Sequence, residues 1–178
     1  SPAVTLCRDY PTLHGDDARC ITRFFGVGGE TRARKIVGRV ARLGEAEVNR
    51  LLGEVHADFE HRHRDIEEKF ERHFNQVKRL VPDAEAISRD RRLLIGSYFT
   101  MEYSIESAAL FNPSIVPHPD QSGVPAGGVR FIMSLRATGE GHVSSIVFRT
   151  GVLAKDGGLT LDPPSHYAAK MRLRQDRA

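Results

Sequence analysis

The chain has 178 residues, 40% hydrophobic and 28% charged, with 26 basic against 23 acidic side chains and a formal charge of +3. That is enough apolar material for one medium domain or two small ones with a core. No run of about 18 apolar residues offers a bilayer span, and no basic-then-apolar signal pattern opens the chain, so a soluble, cytoplasmic protein without a membrane partner is expected. The basic and acidic residues are intermixed rather than blocked, and no nucleic-acid partner is expected from so small an imbalance. Cys7 and Cys20 are too few for a disulfide framework or a thiolate metal site, although one bridge between them stays compatible with the count.

Residues 1–29 read as an extended arm, since no periodicity appears up to Phe25. The glycines of "FFGVGGETRARK" do not complete G-x-G-x-x-G, and no Gly-Lys-Ser/Thr follows to hold a phosphate. They are loop punctuation ahead of a helix.

Residues 30–110 read as a helical extension. Ala33, Ile36, Val37, Val40 and Leu43 recur at helical spacing until Gly44. A longer helix follows from Glu45, with Val48, Leu51, Leu52, Val55, Phe59, Ile66, Phe70, Phe74, Val77 and Val81 in one stripe and Pro82 as its stop. Such a stripe needs cover from other helices or from another subunit, and the expected partner is a second copy, a homo-oligomer through the helices. His56, His61, His63 and His73 lie on this stretch, but none of the neighbouring spacings matches the i, i+4 arrangement of a helical metal site, so a solvated face is expected and no metal. Ser88 is a suitable N-cap for a further helix, with Leu93, Leu94, Tyr98, Met101, Ile105 and Leu110 at helical spacing and Asn112-Pro113 as its end. Glu102 and Glu106, four apart, would share one face of it as a solvated edge.

From residue 111 to 162 the pattern changes to alternation broken by turns. "SIVPHP", Val129 to Ala137, His142 to Arg149 and "GVLAKDGGLTLD" supply strands of an antiparallel meander, and residues 163–178 a basic tail. The fold class is therefore α+β, long helices first and an antiparallel sheet after them. If Thr138 to Gly141 forms the hairpin turn, Ala137 pairs with His142, Met133 with Ile146 and Phe131 with Phe148, while Arg136 lies beside Val143 and Arg130 across from Arg149. Neither face is cleanly polar, which predicts cover on both sides. A buried Arg136 would then need a carboxylate such as Glu140, or an anionic or polyhydroxyl ligand.

The blocks "YFTMEYSIESAALFNPSIVPHPDQ" and "RFIMSLRATGEGHVSSIVFRTG" resemble bacterial glycosidase-like proteins related to glycoside hydrolase family 130, the β-mannoside phosphorylases and mannosidases. "RHRDI" and "LIGSYFT" extend the similarity back through the helices. The resemblance implies a five-bladed β-propeller preceded by a helical extension, with the meander as its first blade. It also implies sugar contacts from Asn112 of "FNPSI" and Arg136 of "SLRA", with His142 and Ser144 or Ser145 following the turn, no cofactor, and inorganic phosphate as co-substrate where the reaction is phosphorolysis. Family enzymes protonate the glycosidic oxygen with an aspartate in a segment resembling "EDAR"; no such segment occurs in this sequence, and neither Asp120 nor Asp156 stands in that motif. The expectation is the N-terminal portion of a longer carbohydrate-active enzyme, with no catalytic residue of its own. The alternative is a helical oligomerisation module whose β segment is an assembly surface.

Overall fold

The computed structural model describes residues 11–168. Along the chain run β1 (Cys20–Phe24), α1 (Glu30–Ala41), α2 (Glu45–Phe59), α3 (Ile66–Val77), α4 (Arg89–Tyr98), β2 (Thr100–Ser104), β3 (Ala109–Pro117), β4 (Val129–Thr138), β5 (Ser144–Leu153) and β6 (Leu159–Leu161). The fold is mixed α+β with antiparallel pairing in its four-stranded sheet. It divides into two units, residues 18–103 with 167–168, and residues 11–17 with 104–166. The first ten residues, which include Cys7, and most of the basic tail, 169–178, lie outside the described residues.

In the helical unit α1 buries Ala33, Val37 and Val40, α2 buries Val48 and Leu52, and α3 buries Ile66, Phe70, Phe74 and Val77. All three pack on α4, whose Leu93, Leu94 and Ile95 are consecutive and almost wholly buried. A helix apolar on several sides is central to its layer, and α4 covers the apolar stripe from within the chain. Gly96 makes the approach possible, because a Cβ there would overlap the Phe70 carbonyl. Arg91, also on α4, donates to the Val40 and Leu43 carbonyls at 2.5 and 2.7 Å and to Glu45 at 2.6 Å. It thereby ties down the closing turn after α1, adding to the Leu43 N–H bond on the Val40 carbonyl and satisfying the Leu43 carbonyl beyond the helix end. Ser88 caps α4 as expected, accepting from the Arg91 N–H.

Three expectations are corrected here. The helix from Glu45 does not continue to Val81; it breaks over residues 60–65, where Asp65 takes a left-handed conformation (φ 59°). The positions three and four after Phe59 are Arg62 and His63, so the apolar stripe lapses for one turn, and that turn is held by polar bonds to Glu102 instead of by apolar packing. The helix from Ser88 ends at Tyr98 rather than Leu110, and Thr100–Ser104 is a strand beside β1. The unit boundary consequently falls after Tyr103, not Leu110. Within the arm, Cys20–Phe24 is a strand that pairs with β2.

The sheet unit is a β3-β4-β5-β6 meander. Ala137 pairs with Ser145, Met133 with Arg149 and Phe131 with Gly151, three residues further along β5 than a four-residue turn predicts. The connection is longer because residues 140–142 form a 3-10 turn, with Gly141 and His142 both left-handed (φ 61° and 59°) and the Gly139 N–H donating to the Val143 carbonyl. An odd slip exchanges faces: Phe148 and Ile146 move off the side of Phe131, Met133 and Leu135 and become 53% and 63% exposed. Gly151 is the counterpart of Gly96 in this unit, since a Cβ would meet the Thr160 carbonyl and the Phe131 ring.

Candidate functional site

Asn112, Arg136, His142 and Ser144 gather at one end of the four-stranded sheet. β3 pairs with β4 through Phe111 and Arg136, then shifts register before Ser114, so Asn112 and Pro113 together oppose one residue. Asn112 takes φ 53° there, a left-handed conformation that asparagine tolerates better than most residues. The Asn-Pro pair thus forms a β-bulge, not a helix end. The Arg136 guanidinium lies 5.1 Å from the centre of the Phe111 ring. Its Nε and one terminal nitrogen donate to the Ser144 hydroxyl at 3.1 and 2.9 Å. The expected pair with Glu140 is replaced by this one: the longer turn brings Ser144, opposite Thr138, within reach. Arg136 is exposed rather than buried, since it stands on the face that β4 turns away from Met133 and Leu135.

A guanidinium carries five N–H donors. Ser144 takes two of them, and the others meet no acceptor among the described residues. The Phe111 ring fixes one face of the group by a cation–π contact. What results is an oriented donor fork on an apolar platform, able to bind an oxyanion or adjacent hydroxyls. Asn112 and Ser144 are exposed beside it, and exposed His142 belongs to the turn through its backbone conformation. Asp120, on the loop after β3, has its carboxyl held below the usual range by hydrogen bonds from the Ser122 hydroxyl and N–H. Those bonds close a local turn rather than prepare a proton donor.

The opposite face of the sheet carries an open apolar groove of about 620 Å³, whose lining includes Leu13, Ile115, Phe131, Met133, Leu135 and Leu161. In the same unit Arg149, paired with Met133 across the sheet, donates to Glu106 at 2.6 Å, with side chains 4% and 0% exposed. Sequence reasoning missed this pair. It read Glu106 on a helical surface and set Arg149 opposite Arg130, whose partner is Val152. The available signal was Arg149's position between Val147 and Gly151 in the alternation of β5, all three buried.

Glu102, expected on one face with Glu106, belongs to the other unit. It accepts from Arg62 through both carboxylate oxygens at 2.8 Å and from His63 Nε2 at 2.6 Å. Burial pushes its carboxyl up, but these bonds outweigh burial and hold it below its usual value. The histidines read from sequence are dispersed: His56 lies 3.5 Å from Glu67, His63 serves Glu102 and His73 bonds Thr100. Among the described residues no three metal-ligating side chains converge. Comparison with family models, with curated proteins and with solved structures finds no match to the chain.

Proposed function

We propose that the chain is the N-terminal portion of a carbohydrate-active protein similar to the family 130 glycoside hydrolases, acting on β-mannosides by phosphorolysis or hydrolysis. The observation that carries this reading is Arg136, laid on Phe111 and oriented by Ser144 beside the Asn112 bulge. A planar donor fork beside an aromatic ring suits a sugar, whose hydroxyls accept in pairs and whose C–H face packs on aromatic carbon. Asn112 and Arg136 would contact hydroxyls, His142 and Ser144 would border them, and the catalytic acid is assigned to no residue of this chain. The meander, with apolar side chains on both faces, suits one blade of a propeller enclosed by further sheets.

The test extends the chain in frame through the sequence that follows Ala178 and assays phosphate-dependent release of mannose 1-phosphate from a β-mannoside. Activity that falls at least about a hundredfold in Arg136→Ala supports the reading. A natural stop soon after Ala178, or full activity without Arg136, overturns it. The alternative, an assembly module, draws on exposed Val116, Ile146 and Phe148 on the Arg136 side of the sheet. Light scattering separates the two, since a monomer at high concentration counts against assembly.

A further inference from the structure

The four helices do not treat their charges alike. On α2, Arg50 pairs with Glu47 and Glu54; on α3, Arg72 pairs with Glu68; on α4, Arg89 and Arg92 meet Glu67 and Glu71. On α1 the single acid, Glu30, is occupied by Arg34 and Arg79. The remaining α1 cations and their neighbour at the end of the helix, Arg32, Lys35, Arg39 and Arg42, are all exposed. None has a side-chain ion pair or hydrogen bond among the described residues. Their spacing of three, four and three residues places them in one line along the helix, about 15 Å long at about 1.5 Å per residue. The opposite face of α1 is occupied, because Ala33, Val37 and Val40 are buried in the unit's core. The averaged charge of the chain conceals this concentration.

We propose that this stripe is a docking surface for an acidic helical segment of a partner protein, with Asp or Glu at the same three-and-four spacing. A partner helix repeats with the same rise per residue, so its carboxylates stay opposite the stripe along its whole length. Three of the four cations are arginines, whose fork geometry matches carboxylates in two-point contacts. Nucleic-acid phosphates recur at about 3.4 Å of axial rise per strand and fall out of step with the stripe. A membrane-lying helix inserts its apolar face, and the apolar face of α1 is already spent on the core. The surface is independent of the sugar reading, which concerns the other unit.

The experiment uses the full 178-residue chain and a fluorescein-labelled, alanine-rich helical peptide with glutamates at i, i+3, i+7 and i+10. Anisotropy should report binding at about 20 mM salt that weakens several-fold at about 200 mM, where the screening length is shorter. Binding should weaken at least about tenfold in the double reversal Arg32→Glu/Arg39→Glu and stay unchanged in Arg72→Glu on α3, with circular dichroism showing all three proteins folded. A peptide of the same composition with its glutamates spread around the helix should bind at least about threefold more weakly. Equal binding of that isomer overturns the proposal, as does undiminished binding by the double reversal. Tighter binding of a single-stranded oligonucleotide or of phosphatidylserine vesicles than of the peptide also overturns it, and so does absence of peptide binding at low salt.

Discussion

The helical unit and the sheet unit answer the same physical demand differently. In the helices every apolar stripe finds its cover within the unit: α1, α2 and α3 close on α4, and the end of α1 is tied down by Arg91. In the sheet one face opens into a groove of about 620 Å³, and the other exposes Val116, Ile146 and Phe148 around Arg136. A layer of strands needs a second layer on each apolar face. The helical unit therefore explains itself as a structure, whereas among the described residues the sheet leaves apolar surface that a further layer or a ligand would use.

The sharpest way to break the contrast is Gly96→Val. It places a branched side chain against the Phe70 backbone, where neither helix can yield without opening the core. A loss of about 4 kcal/mol or more is expected in urea unfolding; a loss under about 1 kcal/mol would show that α3 and α4 are not locked together. The sheet's nearest equivalent is Arg149→Met, which takes the Arg149 guanidinium away from buried Glu106. A cost of about 3–4 kcal/mol follows, and Glu106→Leu added to it should recover most of the loss, because the pair is dearer to break than to replace. An unrecovered double variant would mean that Glu106 holds more than Arg149.

Much of the helical unit was legible in the sequence because its signal is local. α1 begins at Glu30, and Ser88 caps α4, as spacing and capping chemistry indicate. The breaks were harder to see. Tyr98, Met101 and Ile105 fall at helical spacing by coincidence, and only the alternation of Phe99, Met101 and Tyr103 hints at the strand. The four residues expected to contact a sugar lie toward one end of the sheet, but Phe111 beneath Arg136 was missed because it depends on pairing across twenty-five residues. The hairpin register failed for a similar reason. Two glycines around Glu140 permit several turns, and the left-handed His142 selects one that no composition rule favours.

A gentler probe lies in Glu102, the helical unit's link between the broken turn and β2. Its carboxyl is depressed in the folded state, so its contribution to stability is full above the unfolded carboxyl value of about 4.3 and is lost as pH falls through the lower folded value. Glu102→Gln should remove that acid-side dependence. It should cost about 1 kcal/mol near neutral pH, a modest figure because the side chain is 26% exposed. A variant whose stability falls between pH 5 and 3 as steeply as the parent's would assign the dependence to other carboxylates.

The smallest effect on folding should come from the most conspicuous surface. Phe148 is 53% exposed on the Arg136 side of β5, so Phe148→Ser gives up little buried area and should stay within about 0.5 kcal/mol of the parent. Its effect should appear in association instead. If the exposed row of Val116, Ile146 and Phe148 seeks cover, the serine variant will show less concentration-dependent light scattering and less binding of an apolar dye at unchanged stability. If stability falls by about 2 kcal/mol instead, Phe148 is already covered in the native protein, and the contrast between a self-contained helical unit and an incomplete sheet disappears.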